Sequence, residues 1–151
     1  METDQGAARY SSPTLDADTS FLLARASAMA SAVGNRAVAD LGLKVRTYSV
    51  LALAVEVEPS QRELAERLRL DPSQIVALVD ELEARGLLER RQDPSDRRAR
   101  IVAATPAGAA LFGQARARIE DAQRDLWAPH SAPEIEALRA MLRRVAFGEP
   151  R

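Results

Sequence analysis

Five arginines fall within eleven residues, at positions 90, 91, 97, 98 and 100, around the turn formers Asp93-Pro94-Ser95. A guanidinium is a planar, permanently charged fork of N–H donors, and what it does best is grip a phosphate or carboxylate through two bonds at once. Catalytic chemistry has little to draw on elsewhere. Cysteine is absent, His130 is the single histidine, and neither a Gly-rich phosphate loop nor a nucleophile motif is present. Paired carboxylates occur only inside charged helical stretches, so no catalytic residue, metal site or cofactor is expected. The arginines are then a solvated surface or the contact for a polyanion.

The bulk charge does not advertise such a partner, since the formal net charge is -1. A phosphate backbone, however, feels only the surface that faces it. Charge is segregated along this chain, with residues 1–20 summing to -3 and residues 84–100 to +3. Twenty of the twenty-one basic residues are arginine, Lys44 being the other. A GC-rich coding sequence would give the same bias, so position carries the evidence rather than number. A length of 151 residues suits one domain, or one domain with an appendage. No apolar stretch approaches the ~18 residues of a membrane span, so no membrane partner is expected. The acidic, polar N-terminus resembles neither a secretory signal nor a transit peptide, and with no disulfides possible the expected compartment is the cytoplasm.

The elements that must hold these arginines can be traced from both sides. Residues 1–18 show no apolar periodicity and read as a flexible arm. From Thr19 to about residue 40, Phe21, Leu22, Ala28, Met29, Ala32 and Val33 recur at helical spacing. A second helix over about 44–55 carries Val45, Tyr48, Leu51 and Leu53. Ser60 with Glu63 forms a capping box for SQRELAERLRL. Asp71, Pro72 and Gln74 open DPSQIVALVDELEARG in the same way, with Ile75, Val76, Val79 and Leu82 as its apolar face and Gly86 as its stop. Two short capped helices so close together make a helix-turn-helix. Residues 87–91 and 99–104 read as strands joined by the loop QDPSDRR. Thr105-Pro106 opens a long helix to about Trp127, with Leu111, Ala115, Ile119, Ala122 and Leu126 on one side, and a last helix runs from Pro133 to about Phe147. The fold class is mainly α with a small β-hairpin: a winged helix-turn-helix over about 44–105, flanked by helices at about 19–40 and 106–147, with a 148–151 tail.

In a winged helix-turn-helix the second helix of the pair enters the major groove, and the hairpin tip reaches phosphates or the adjacent minor groove. DRRARIVAAT, with DPS before it and PAG after it, resembles the wing signature of MarR-family transcriptional regulators. Asp96, Arg98, Thr105 and Gly108 match that pattern, and Ala104 stands where leucine is usual. LAERLRLDPSQIVALVDELEARGLLERR resembles the same family's helix-turn-helix, and the likeness spans roughly residues 20–147.

The resemblance implies a sequence-specific DNA-binding regulator, a homodimer whose first and last helices interlock, and a repressor released by a small, aromatic or anionic effector. The apolar residues of those helices exceed what one winged domain can cover, and an interface of ~2,000 Å² or more is expected. A two-fold dimer reads a pseudo-palindromic operator on double-stranded DNA, with half-sites ~34–36 Å apart. Candidate DNA contacts are Gln61 and Arg62 at the start of the first motif helix, Ser73, Gln74 and Ala77 on the second, and Arg97 and Arg98 on the wing, where Asp96 is expected to orient the arginines. Gln74 suits adenine, and Ala77 suits a thymine methyl. Arg25, Met29, Arg46, Tyr48 and Phe112 are candidates for the effector cavity that resembling regulators hold between the dimerisation helices and the winged domain. The competing reading is a winged-helix interaction module whose arginines bind an acidic protein partner.

Overall fold

The structure is a computed structural model and describes residues 11–148. The proposed flexible arm therefore lies partly outside the described residues, as does most of the tail. Ser12 caps a single helical turn, α1 (Pro13–Asp16), and Asp18 caps the long α2 (Thr19–Val38) by accepting from Phe21 N–H at 2.9 Å. A 3₁₀ turn over Ala39–Leu41 redirects the chain into α3 (Val45–Glu56), whose first N–H is taken by Asn35 Oδ1 of α2 at 2.8 Å.

The helix-turn-helix follows as α4 (Gln61–Leu68) and α5 (Pro72–Ala84). Ser60 Oγ accepts from Glu63 N–H at 3.2 Å, while Glu63 Oε2 accepts from Ser60 N–H at 2.7 Å. The Ser60 N–H, and the Ser60 hydroxyl that also donates to Oε2, hold the Glu63 carboxyl below its ordinary range. The hairpin consists of β1 (Leu88–Gln92) and β2 (Arg100–Ala104), antiparallel with Leu88 opposite Ala104 and Arg90 opposite Val102. Val102 N–H also donates to Pro59 O at 2.8 Å, which ties the sheet to the loop before α4. The long α6 (Pro106–Trp127) and the terminal α7 (Ala132–Phe147) follow, the latter with a further capping box from Ser131 and Glu134. No helix among the described residues is long and apolar enough to cross a membrane.

The core lies under the helix-turn-helix and hairpin. Leu51, Leu64, Ile75, Leu82, Leu88 and Val102 are fully buried and belong to one cluster that continues to Phe112, Ala115 and Ile119 of α6. Some faces differ from those the periodicity predicts. On α3 the buried residues are Thr47, Val50, Leu51 and Ala54, with Val45, Tyr48 and Leu53 half-covered. On α5, Ile75, Val79 and Leu82 are buried but Val76 is 40% exposed. Val76 stands one residue off the 75–79–82 stripe, and a 100° step per residue carries it out of the core.

One junction fixes the hairpin and α6 to the end of α5. Thr105 Oγ1 donates to Gly86 O at 2.6 Å and accepts from Gly108 N–H at 3.1 Å, and Thr105 N–H donates to Leu87 O at 3.1 Å. A Cβ on Gly108 would lie 2.0 Å from Leu87 O. The threonine and glycine matched in the wing signature are thus the closure of the hairpin base onto the long helix.

Candidate nucleic-acid interface

The wing is built by its acidic residues. Asp93 Oδ1 accepts from Ser95 N–H and Oγ at 2.8 and 2.7 Å, and the Ser95 hydroxyl holds the Asp93 carboxyl below the usual carboxylate range. Asp96 Oδ1 accepts from the backbone N–H of Arg98 at 3.0 Å, and Gln92 Nε2 donates to Arg97 O at 2.8 Å. Asp96 was expected to steer a guanidinium. It holds the arginine's backbone instead, because an aspartate two residues before an N–H closes a local turn at almost no conformational cost. The loop at the tip is therefore preorganised through its main chain.

The basic residues of this region divide into two sets. Arg85 donates from Nη1 to Gly42 O at 2.8 Å and from Nη2 to Leu41 O at 2.9 Å, fastening the end of α5 to the turn after α2. Arg90 binds Asp80, Glu83 and Gln61, and Arg91 binds Glu58 at 2.5 Å. Arg97, Arg98 and Arg100 are exposed and form no ion pair among the described residues. Among the described residues, three cations are thus left unneutralised on the hairpin tip and the start of β2.

The first turns of the helix-turn-helix present the other candidates. Ser73, Gln74, Val76 and Ala77 are exposed on α5. Gln74 Oε1 accepts from Asp71 N–H at 3.1 Å, so its carbonyl is committed to the cap and its NH₂ is the end left for a ligand. A side chain held in this way offers donors first, whereas the adenine recognition expected of Gln74 uses both ends of the amide. Arg62 is 89% exposed in its side chain and pairs with Glu66 at 3.1 Å along the helix, a contact of little strength in water. Gln61 is half-buried, its carbonyl occupied by Arg90 Nε at 2.6 Å. A groove of about 710 Å³ runs between the two helices, lined in part by Gln61, Arg62, Arg69, Pro72 and Val76.

Of the residues considered for an effector cavity, the single chain brings together Tyr48 and Phe112, whose rings stack with centroids 5.6 Å apart. Burial pushes the Tyr48 hydroxyl up from its ordinary value. Arg25, Met29 and Arg46 are exposed on α2 and α3. His130 lies exposed with its ring 6.1 Å from that of Trp127, and among the described residues no three His, Cys, Asp or Glu side chains group as a metal site.

Residues 41–99, the segment holding the helix-turn-helix and most of the wing, match the MarR family. A transcriptional regulator of that family from Rhodococcus sp. RHA1 is 41% identical to this chain. It superposes with a TM-score of 0.85 over 91% of this chain and 100% of its own. The chain belongs to the MarR family. CouR from Rhodococcus jostii RHA1, solved bound to p-coumaroyl-CoA, is 42% identical with a TM-score of 0.85 over 93% of this chain and 99% of that one. The PcaV transcriptional regulator of Streptomyces coelicolor, solved with its natural ligand, is 30% identical with a TM-score of 0.76 over 92% and 99% of the two chains. Against curated relatives the likeness is more local: the multiple antibiotic resistance protein MarR of Salmonella typhimurium is 31% identical over 84 residues, 55% of this chain and 58% of that protein. This chain spans between half and three-fifths of the curated relatives it matches. It is a MarR-family transcriptional regulator with the winged-helix architecture its sequence implies.

Two features of the interface were not visible in the sequence. The division of the arginines into clamped and free sets depends on carboxylates from other elements, at sequence separations of 7, 10 and 33 residues. The exposure of Val76 was masked by its apolar character, although its offset from the 75–79–82 stripe was a usable signal.

Proposed function

We propose that this MarR-family chain works as a homodimer in the cytoplasm that binds a pseudo-palindromic operator and represses transcription until a small molecule releases it. The observation that carries the DNA contact is a set of three exposed arginines, Arg97, Arg98 and Arg100, that have no ion pair among the described residues, on a wing stiffened by Asp93 and Asp96. Free guanidinium groups on a preorganised loop bind phosphate without first breaking an internal ion pair. Ser73, Gln74, Val76 and Ala77 supply a short polar and apolar reading surface on α5, with Gln61 and Arg62 beside the backbone. With so few direct base contacts, a large part of the affinity is electrostatic and falls steeply with salt.

The dimer is supported by apolar surface without cover. Leu22, Leu23 and Met29 on α2 and Met141, Leu142, Val145 and Phe147 on α7 are all at least 37% exposed, and α7 has no buried residue in the single chain. An amphipathic helix in that condition is completed by a partner. An effector is supported by the ligand-bound forms of CouR and PcaV; p-coumaroyl-CoA is both aromatic and anionic. Arg25, Met29, Arg46, Tyr48 and Phe112 are the residues proposed to meet such a ligand in the dimer.

The test is selection of bound genomic fragments by the purified protein, in parallel with Arg98→Ala. The expected result is an enriched palindrome that the variant fails to recover. Enrichment of no duplex by a folded dimer, together with capture of an acidic protein that Arg98→Ala loses, would replace this reading with the interaction-module one.

A further inference from the structure

Arg90 is the most heavily engaged side chain of the hairpin. It sits on β1, opposite Val102, and is only 21% exposed. Its Nη2 meets Asp80 Oδ1 at 2.5 Å, its Nη1 pairs with Glu83 Oε2, and its Nε donates to Gln61 Oε1 at 2.6 Å. Its backbone N–H donates to the other oxygen of Glu83 at 3.1 Å. Asp80 and Glu83 belong to α5 and Gln61 opens α4, so one guanidinium plane fastens a wing strand to both helices of the helix-turn-helix. A lysine could not reproduce this, since an ammonium is a point charge without the fixed fork.

The partners matter for DNA as well as for packing. Asp80 lies one helical turn beyond Val76 and Ala77, and two beyond Ser73, on the same side of α5, where a bare carboxylate would repel phosphate. Arg90 neutralises it from the side. By taking the carbonyl of Gln61, Arg90 also leaves the amide NH₂ as the end of that side chain available to a backbone oxygen.

We propose that Arg90 is a positioning residue for DNA recognition. It sets the angle between the wing and α5 by binding Asp80, Glu83 and Gln61 together, and it makes no contact with DNA itself. The function assigned to this geometry rests on the DNA-binding reading; the geometry does not.

The test combines one measurement without DNA and one with it. The chain has no cysteine, so spin labels placed by Ala84→Cys and Pro94→Cys report the distance between the end of α5 and the wing tip, with labelled chain diluted into unlabelled chain. Arg90→Met, and separately Asp80→Asn with Glu83→Gln, are expected to broaden that distance distribution at temperatures where the helical circular dichroism is unchanged. On the selected operator the same variants are expected to lose affinity roughly tenfold or more while the salt slope stays at the wild-type value. Arg90→Lys is expected to fall between. An unchanged distance distribution in both folded variants would overturn the proposal, as would a slope lowered by ~0.9 per half-site in Arg90→Met, which would make Arg90 a phosphate contact. If the unmodified protein binds no duplex, the regulator reading fails, and the distance measurement still decides whether Arg90 sets the wing.

Discussion

Replacing Gly108 by alanine gives a sharp test of how the wing is attached, because two effects predict opposite signs. Gly108 lies in the first turn of α6, and helix propensity alone favours alanine there by ~1 kcal/mol. The added Cβ would stand 2.0 Å from Leu87 O and 3.0 Å from Leu87 C, both main-chain atoms that cannot rotate away. Relief requires a movement of more than ~1 Å between α6 and the start of β1, and overpacking of this kind costs ~1–3 kcal/mol. The same movement stretches Thr105 Oγ1 to Gly86 O and Thr105 N–H to Leu87 O. Each bond is worth ~1 kcal/mol. The net expectation is a loss of ~2–4 kcal/mol, against a total stability of ~5–15 kcal/mol. Urea unfolding followed by circular dichroism, at one protein concentration so that dimerisation does not confound the comparison, reads this directly. A variant as stable as the parent, or more so, would show that propensity outweighs the contact and that the wing base is looser than described.

Arg69 ends α4 in the left-handed region, with φ 54°, where a side chain is strained, so Arg69→Gly is expected to gain ~0.5–1 kcal/mol in the same unfolding assay; destabilisation would contradict the strained cap. Glu63 and Glu134 are held below their ordinary value of 4.5 by bonds from Ser60 and Ser131. A depressed folded-state pKa contributes stability that is fully present above the unfolded value and is lost as pH falls through the folded one. The midpoint of denaturation should therefore hold steady down to about pH 4.5 and fall below it, less steeply in Glu63→Gln, which keeps an acceptor but cannot titrate; an equal fall in both would remove Glu63 from the account. Val76 should contact a thymine methyl, worth ~0.8 kcal/mol or about fourfold. Replacing one operator thymine per half-site by deoxyuridine should weaken the parent protein but not Val76→Ala, and equal sensitivity in both would exclude the contact.

Much of this interface is written in short-range signals. The capping box at Ser60, the Asp71-Pro72 opening of α5 and the Asp93-Pro94-Ser95 turn each depend on groups within three residues of one another, and the structure has them where the sequence puts them. The strands begin or end a residue or so from their expected bounds, since pairing rather than propensity sets the register. What local reading could not supply was the fate of each arginine. Arg90 and Arg98 look alike in a string of residues, yet one is spent on Asp80 and Glu83 and the other has no ion pair among the described residues. Tyr48 and Phe112 meet within one chain, whereas Arg25, Met29 and Arg46, grouped with them through the family resemblance, are exposed there.

The central claim is that the unpaired wing arginines, and not the clamped ones, hold the phosphate backbone. The most direct measurement is the salt dependence of operator affinity for the parent, Arg98→Ala and Arg91→Ala. Each phosphate contact contributes ~0.9 to the slope of log affinity against log salt. Losing Arg98 from both half-sites of a dimer should therefore lower it by ~1.8, whereas losing Arg91, which is occupied by Glu58, should leave it unchanged. Equal slopes for all three proteins, or a larger drop for Arg91→Ala, would contradict the division of the arginines on which the account is built.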